Sequence, residues 1–263
     1  MQGSQEMSLP TAPPYGFQEI VPLDRSHRID LPQGRSLPPV FHSMNPLPVS
    51  FDEFAVASRD YPLVFTSADQ GRTFTPVLVT GLANNNNLFV MWDKSWDRRV
   101  YLPAYVRCYP FCVVAGPVDG RGATERVICI ERRAIHERGV PLFDGNGNPT
   151  AVWEPLQKLL IACDADRLRT EGMCRHLAEL QLLELFSAQV QPAIGAPVQL
   201  SGMYRVSESR LNQLDGSVLR GLAQNGVLGR IYAHLMSLEN FQRLLSRSQA
   251  HLNRNSAVRP GSE

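Results

Sequence analysis

The stretch that decides the fold class is residues 150–183, TAVWEPLQKLLIACDADRLRTEGMCRHLAELQLL. Its apolar residues recur with the period of a helix surface, at Val152, Leu156, Leu159, Leu160, Cys163, Met173, Leu177 and Leu180. Residues three and four apart share one face of a helix, so this spacing predicts a long amphipathic helix. It separates a β-rich first half of the chain from a second half that is richer in helical patterns.

Short β-rich runs separated by turn residues precede this helix. Gly81–Asn86 and Gly116–Gly120 contain glycine together with asparagine, aspartate or proline. Such residues favour turns because they tolerate positive φ or fix φ in advance. Each segment is flanked by apolar runs, so each predicts an antiparallel hairpin. The expected strands of this half are 61–66, 74–80, 87–91, 110–115 and 126–131.

The residues after the helix combine strands with further helices. Two alternating runs, 186–190 and 198–206, predict strands on either side of Pro192 and Gly195. A final amphipathic helix of about five turns is expected from the spacing of Leu228, Ile231, Leu235, Leu238, Phe241 and Leu245. The fold class expected is therefore α+β, with an antiparallel sheet in the first half packed with helices mainly from the second half.

The proline distribution suggests how the chain is organised. Nine of the 20 prolines lie in the first 50 residues, and proline disfavours both helix interiors and central strands. Residues 1–44 are therefore expected to form a proline-rich extended arm whose start is disordered. Residues 45–248 are expected to form one α+β domain, and the polar residues 249–263 a flexible tail.

Charge and hydropathy exclude several classes of protein. A net charge of +1 and a pI of 7.7 give no electrostatic reason to expect a nucleic-acid partner. The longest clean apolar runs, of which Phe111–Ala115 is one, are far shorter than the roughly 20 residues that span a bilayer, so no membrane insertion is expected. No basic segment followed by an apolar core, as a secretory signal requires, occurs near the start. A cytoplasmic location is expected on this ground, and export by a route without a cleaved signal stays open.

The cysteines are Cys108, Cys112, Cys129, Cys163 and Cys174. An odd number without a dense framework argues against a disulfide scaffold. Cys108 and Cys112 are four residues apart, which would place them on one face of a helix, yet no histidine pair follows them at zinc-site spacing. We expect the cysteines to be small buried hydrophobic residues.

Two other segments contain only part of a metal site. His136 begins a metalloprotease motif, but Val140 stands where the second histidine is required. Asp144–Asn148 resembles the start of a calcium loop, which would then need glycine and glutamate where Pro149 and Pro155 stand. No nucleophile elbow, P-loop or dinucleotide motif occurs. No metal or cofactor is expected, and a non-enzymatic role is favoured, although a catalytic triad dispersed along the chain stays open.

Trp92–Phe111 is the densest cluster of aromatic and arginine residues in the sequence. Aromatic faces stack on ligands or cations, and arginine forks hold carboxylates, so this cluster could form a recognition surface. The alternative is that the aromatic side chains hold a helix onto the sheet with the arginines outside. A second cluster near the C-terminus has the same two interpretations, and His234 within it could equally be a satisfied structural histidine. The candidate ligand-binding residues are Trp96, Tyr101, Tyr105, Arg107, Tyr109, Tyr204, Arg205, Tyr232 and His234.

Six segments occur in the order found in a known bacterial family. They are Tyr61–Phe65, Trp96–Asp97 with Tyr109–Phe111, Pro141–Asp144 with Gly147 and Pro149, Leu182–Phe186, Gly202–Val206 with Leu211 and Leu214, and Ile231–Leu238. Through them the chain resembles the SapC-like family over residues 45–247. The long proline-rich arm departs from the family pattern, as does Cys108, which stands where a basic residue is expected.

This resemblance implies a function in general terms only. The family takes its name from a surface-layer-associated protein of a pathogenic bacterium, and some members are encoded beside outer-membrane receptors and tryptophan-halogenase-like proteins. It differs from the peptide-transport permease that shares the name. The resemblance implies a non-enzymatic accessory or binding protein, linked to the cell surface layer or to nutrient uptake. Its ligand would be a small molecule, a peptide or an envelope component.

Two other functions stay open on sequence grounds. An enzyme of an undescribed type, acting on a small molecule or peptide, would need Arg107, Tyr109, Tyr204 and His234 in one pocket. A structural protein would instead form a homodimer through the amphipathic helix over 227–247, because an apolar stripe can be either core or interface.

Overall fold

A computed structural model of the protein describes residues 13–32, 36–117, 124–191 and 197–257. The strands are β1 (Ile20–Pro22), β2 (Arg28–Ile29), β3 (Leu47–Pro48), β4 (Leu63–Thr66), β5 (Thr75–Leu78), β6 (Phe111–Pro117), β7 (Thr124–Glu131), β8 (Val140–Pro141), β9 (Leu183–Val190) and β10 (Val198–Val206). The α-helices are α1 (Phe54–Ala57), α2 (Ala104–Cys108), α3 (Trp153–Glu179), α4 (Glu208–Leu211), α5 (Gly216–Gln224), α6 (Val227–Ser237) and α7 (Asn240–Ala257). Short 3-10 helices cover Pro39–His42, Phe51–Glu53 and Arg132–Ala134.

The strands form antiparallel sheets, which together with the helices confirms the α+β class. One sheet has the order β3-β5-β4-β10-β9, so the second half of the chain supplies two of its strands. A second has the order β1-β7-β6, and β2 pairs with β8. Some sequence predictions fall on residues outside the described ranges. They are the disordered start of the arm, the turn residues 118–120, Pro192 with Gly195, and the end of the predicted tail at 258–263.

The chain divides into two compact units. The first contains residues 1–35 and 106–165, and the second contains residues 36–105 and 166–263. The bounds of these two units differ from those of the arm, domain and tail expected from the sequence. That three-part organisation stays a prediction. Residues 249–257 of the expected tail belong to α7.

The antiparallel pair β6–β7, which the sequence predicted as a hairpin, lies in the first unit. Phe111 on β6 packs against the buried indole of Trp153, with ring centroids 5.0 Å apart. The arm joins this sheet through β1, which pairs with β7. The buried carboxylate of Glu131 accepts a hydrogen bond from the backbone N–H of Gln18 at 2.8 Å. Sheet pairing and side-chain bonding therefore both attach the arm to this unit.

The five-stranded sheet forms the core of the second unit together with α6 and α7. Phe65 on β4 is buried and packs edge-on against His234 of α6, with ring centroids 5.1 Å apart. Phe186 on β9 packs against Phe241 of α7 at 6.1 Å. The two helices thus cover the sheet through separate aromatic contacts.

The prediction of a strand at 87–91 is wrong. In the structure this segment makes an isolated bridge between Val90 and Trp96, and Leu88 donates its N–H to the carbonyl of Thr80 at 2.8 Å. The reason is that β5 already pairs with β3 on one side and β4 on the other. No edge of β5 is left for 87–91, so its apolar residues are buried as irregular chain.

The final helix is also not continuous. The predicted helix is divided into α6 and α7 by the step at Leu238 and Glu239. Asn240 follows the step, is buried, and donates to the carbonyls of Ser58 and Tyr61 at 2.7 and 3.0 Å. This contact with distant residues fixes the start of α7. The long helix predicted from 150–183 is confirmed as α3.

Candidate functional site

The Trp96–Asp97 motif lies in the second unit and is fully buried. The Trp96 indole N–H donates to the hydroxyl of Tyr61 at 3.0 Å and to the carbonyl of Tyr101 at 3.1 Å. The Tyr61 hydroxyl donates to the same carbonyl. Burial raises the pKa of Tyr61 far above its usual range, so its hydroxyl stays protonated and remains a donor. Trp96 is therefore held by hydrogen bonds inside the protein.

Asp97 accepts hydrogen bonds from two arginines. Arg99 approaches with Nε at 3.0 Å and Nη2 at 2.8 Å, and Nη1 of Arg247 on α7 lies 3.0 Å away. The Arg99 hydrogen bond, opposed in part by desolvation, holds the pKa of Asp97 well below its usual range. The Arg247 guanidinium also lies 4.3 Å from the centroid of the Phe89 ring. Asp97 thus links its own loop to α7.

Tyr101 is positioned by a second buried carboxylate. Oε1 of Glu53 accepts from the Tyr101 hydroxyl at 3.0 Å and from the N–H of Ala104 at 2.7 Å. Its Oε2 accepts from the N–H and hydroxyl of Ser50, which forms a capping box. Glu53 is only 6% exposed. The carboxylate therefore uses both oxygens to join two segments of the second unit.

The remaining candidates of the first cluster are divided between the units. Tyr105 lies partly buried on α2 in the second unit, whereas Arg107 and Tyr109 belong to the first. Arg107 is exposed. Tyr109 packs against Phe17 of the arm with ring centroids 5.3 Å apart, and partial burial raises its pKa.

The second cluster meets where α6 packs on β10. His234 is completely buried; Nδ1 lies 2.8 Å from the carbonyl of Leu63, and Nε2 accepts from the N–H of Val206 at 3.1 Å. Desolvation lowers the His234 pKa to about 4, so the ring is neutral at pH 7 with its proton on Nδ1. Both ring nitrogens are hydrogen-bonded to backbone groups, so neither is available to bind a ligand or to transfer a proton.

The other three residues of this cluster are more accessible. Tyr204 is partly buried and packs edge-on against Phe74 at 5.0 Å. Arg205 pairs with Glu184 on the neighbouring strand at 3.0 Å and lies over Phe186. Tyr232 is 46% exposed on α6. Tyr204 and Arg205 therefore contact neighbouring side chains, whereas the Tyr232 side chain is accessible to solvent.

A groove in the second unit brings together residues that the sequence did not nominate. Its volume is about 360 Å³, and its lining residues are Phe51, Arg169, Gly172, Met173, His176, Asn225 and Val227. The apolar side chains of Phe51, Met173 and Val227 are each at most 5% exposed. Arg169 and His176 retain 51% and 41% exposed side chains. The groove thus combines an apolar base with a cationic arginine and an imidazole at its rim.

The guanidinium groups of two arginines lie against the phenyl ring of Phe51, at one side of this groove. The guanidinium carbons of Arg169 and Arg230 lie 4.4 and 4.1 Å from its centroid. Asp52 pairs with both arginines, at 2.7 and 3.1 Å. The Phe51 N–H donates to Thr170 of α3 at 2.8 Å. Arg169 also pairs with Asp166 at 3.5 Å; both of these ion pairs use Nη1 and half of the Arg169 side chain is exposed, so its guanidinium can also meet a ligand.

Local sequence explains the position of the groove residues. Arg169, Met173 and His176 are spaced four and three residues apart, so α3 presents them on one face. Gly172 lies on the same stretch, and a Cβ there would meet nothing within 4 Å. Gly226, at φ 79°, turns the chain from α5 into α6 beside Asn225. The spacing of this arginine, methionine and histidine was the signal in the sequence that could have indicated the groove. It was missed because the apolar residues of α3 were interpreted only as a core-facing stripe.

A comparison with protein families decides the classification. The SapC family model matches residues 31–244, which include the Trp96–Asp97 motif and every residue lining the groove. The chain belongs to the SapC family. No curated protein and no solved structure matches this SapC chain. The family resemblance seen in the sequence is therefore confirmed.

Among the residues that the structure describes, no three His, Cys, Asp or Glu side chains are grouped so that they could hold a metal ion. No helix of the described ranges is long and apolar enough to cross a membrane. The Asp144 carboxylate, which begins the segment that resembles a calcium loop, accepts hydrogen bonds from the backbone N–H groups of Asn146 and Asn148, at 2.9 and 2.8 Å. Its hydrogen-bond partners therefore lie within its own loop.

Proposed function

We propose that this SapC-family chain is a non-enzymatic binding protein whose ligand occupies the groove beside Phe51. The observation that supports this is the combination of a buried apolar base with the exposed guanidinium of Arg169 and the ring of His176. Ligand sites typically have mostly apolar walls with a few polar groups that fix orientation. The matching ligand carries a carboxylate next to an apolar group.

The chemistry of the lining favours binding over catalysis. Among the described lining residues there is no serine, cysteine, threonine or carboxylate to act as a nucleophile. His176 has a carboxylate neighbour in Glu179 at 3.7 Å, but that residue lies outside the groove lining. The groove can therefore recognise and orient a ligand without the groups that would transform it.

The size of the groove limits the ligand. About 360 Å³ is near the lower end of the ligand-pocket range, roughly 300–1,000 Å³. An N-acyl amino acid fits this description, and so does the C-terminal residue of a short peptide, since each presents a free carboxylate beside an apolar side chain. The link to the cell surface or to nutrient uptake rests on the family resemblance and makes this a carrier or accessory role.

Titration calorimetry with a matched pair of probes tests the proposal. N-acetyl-leucine carries the carboxylate, and N-acetyl-leucinamide has the same shape without the charge. The protein is expected to bind the acid and to bind the amide at least tenfold more weakly, because the arginine fork pairs with a carboxylate. In the Arg169→Gln variant the two probes should bind equally. Equal binding of both probes to the unchanged protein would contradict the proposal.

Two glycines give a matched pair of variants for the site itself. Gly172→Leu places a side chain into the groove, where a Cβ meets nothing within 4 Å. Gly221→Leu makes the same change on α5, also in open space but outside the groove lining. We expect the first variant to lose acid binding and the second to retain it. Retained binding in Gly172→Leu would place the ligand elsewhere.

A homodimer through the 227–247 region is a second candidate function. Tyr232 and Met236 are four residues apart on α6 and are 46% and 75% exposed, so they form an accessible apolar pair on one face. Light scattering at micromolar concentration measures the oligomeric state. A dimer that Met236→Glu converts to a monomer would support this candidate, and a monomeric protein would remove it.

A further inference from the structure

Cys108 and Cys163 form a close thiol pair within the first unit. Cys108 ends α2 and Cys163 lies on α3, and their sulfur atoms are 3.3 Å apart. A disulfide bond is about 2.05 Å long, so the two sulfurs need to approach by only about 1.3 Å. Cys108 is 9% exposed and Cys163 is partly exposed, so an oxidant can reach the pair from the Cys163 side.

Burial lowers the reactivity of the three other thiols. Cys112 and Cys129 are opposite each other on β6 and β7, and burial raises their pKa values to about 12 and about 11. Burial likewise raises the pKa of Cys174 to about 12. The thiolate is the reactive form, so these three cysteines are poor nucleophiles at neutral pH. They provide internal controls for the pair.

We propose that Cys108 and Cys163 are a redox-responsive dithiol that peroxide converts to a disulfide. The Cys163 thiolate attacks one peroxide oxygen; the O–O bond breaks, and sulfenic acid and water form. The Cys108 thiol then attacks the sulfenic sulfur; the S–S bond forms, the S–O bond breaks, and the oxygen leaves as a second water. Two thiols lose two electrons and two protons, and hydrogen peroxide is reduced to two molecules of water.

The consequence of this disulfide is a covalent link between α2 and α3. The bond closes a loop of more than fifty residues, which includes the β6–β7 hairpin. Cross-links across long loops restrict the unfolded chain most strongly. Oxidation therefore raises the unfolding midpoint of this unit, and thiol reductants restore the original value. The proposal is independent of the groove, which lies in the second unit.

Peptide mapping after hydrogen peroxide treatment of the whole protein tests the proposal. Trypsin releases Cys108 with Cys112 in the peptide 108–121, and Cys163 in the peptide 159–167. The Cys112→Ser variant removes the ambiguity in the first peptide. In this variant we expect peroxide to produce a cross-linked pair of these two peptides, lighter than their sum by two hydrogens. Dithiothreitol should separate them, and Cys163→Ser should abolish the link.

Three results would overturn the proposal. One is that both thiols remain open to alkylation after peroxide treatment of the folded protein. Another is a link between 108–121 and the peptide 127–132, which contains Cys129, in place of the expected one. The third is that Cys163→Ser protein still acquires a peroxide-dependent cross-link to Cys108 at an unchanged yield. Unfolded protein is the control. When the Cys112→Ser variant is treated with peroxide in denaturant, the Cys108–Cys163 disulfide should no longer be more abundant than the other possible disulfides, because only the fold brings these two cysteines together.

Discussion

Asp97 is only 2% exposed and accepts hydrogen bonds from Arg99 and Arg247. The side chains of Arg99 and Arg247 are 76% and 24% exposed, so losing the carboxylate costs hydrogen bonds to charged groups, about 1.5–3 kcal/mol each, and leaves no fully buried charge behind. Asp97→Asn should therefore lower the free energy of unfolding by about 2–3 kcal/mol at pH 7, measured by urea titration. Asp93→Asn, a nearby exposed carboxylate, is the control and should cause a smaller loss.

The same carboxylate predicts a pH dependence. The Asp97 pKa in the folded protein lies well below its usual range, so the folded state gains stability wherever the carboxylate is ionised. This stabilisation is present above about pH 4 and is lost as the pH falls further, because the unfolded chain then takes up the proton first. Urea titrations from pH 6 to pH 3 should show a smaller decline for Asp97→Asn. An identical decline would assign the acid sensitivity to other carboxylates.

His234 should make stability depend on pH in the range just below neutral. Its pKa is lowered to about 4 in the folded protein, against about 6.5 in an unfolded chain, so the unfolded state binds the extra proton first. The stabilisation is present above pH 6.5 and is lost as the pH falls toward 4. Between pH 7 and pH 5 the free energy of unfolding should fall by about 2 kcal/mol through this residue.

Two variants separate this effect from general destabilisation. His234→Asn keeps a donor towards the carbonyl of Leu63 but cannot titrate, so its stability should no longer fall through this group between pH 7 and pH 5. Leu244→Ala leaves a cavity on α7 and should cost about 2–5 kcal/mol while the pH dependence stays. If His234→Asn declined as steeply as the unchanged protein, the histidine would not be the source.

At the scale of elements, two glycines give opposite predictions for the same substitution. Gly172 lies inside α3, and Gly202 lies in the bulge of β10 at φ 79°; neither has an atom within 4 Å of an added Cβ. Gly172→Ala should raise the free energy of unfolding by roughly 0.5–1 kcal/mol, since glycine is unfavourable inside a helix. Gly202→Ala should lower it by about 1 kcal/mol, because the left-handed conformation strains an L-residue.

The pair is tested by thermal or urea unfolding of both variants under one condition. A loss of stability in Gly172→Ala would show that the groove side of α3 does not accept even a methyl group. Unchanged stability in Gly202→Ala would show that the bulge can relax to a negative φ.

Local periodicity predicted those elements whose neighbours impose no competing contact. The apolar spacing of 150–183 gave α3, and the turn residues after β6 gave the β6–β7 hairpin. Periodicity did not reveal the break before α7, because the apolar stripe continues across it and the break depends on Asn240 bonding to Ser58 and Tyr61. The strand expected at 87–91 was wrong for a related reason, since the pairing of β5 is decided by β3 and β4.

The candidate site shows the same limit. Trp96, Tyr101 and His234 stood out in the sequence as aromatic or titratable residues, and the structure buries Trp96 and His234 in hydrogen-bonded networks and leaves Tyr101 partly buried. The groove depends instead on Phe51 and Asn225 meeting α3, which are distant in the sequence. Residue type alone therefore identified chemically rich positions, whereas only the tertiary fold shows which polar groups remain open to a ligand.

At the scale of the whole molecule, residues 13–32 of the expected arm are a structural part of the first unit. The SapC match begins at residue 31, yet Phe17, Ile20 and Ile29 before it are each at most 9% exposed, and β1 covers an edge of β7. Each buried apolar side chain contributes about 1.5–3 kcal/mol. A chain that starts at residue 31 should therefore lose several kcal/mol from this unit alone and expose the backbone edge of β7.

Hydrogen exchange measured peptide by peptide distinguishes this local effect from global unfolding. Removing the arm should speed exchange at the end of β7, where the N–H of Arg132 donates to the carbonyl of Glu19 at 2.8 Å and β1 pairs with residues up to Glu131. Peptides from β10, in the second unit, should keep their protection. Ile20→Asp in the full-length chain should reproduce the change more weakly, since it disrupts the same strand without shortening the chain. Unchanged protection in β7 would mean that the β6–β7 hairpin is stable by itself and that the arm only covers it.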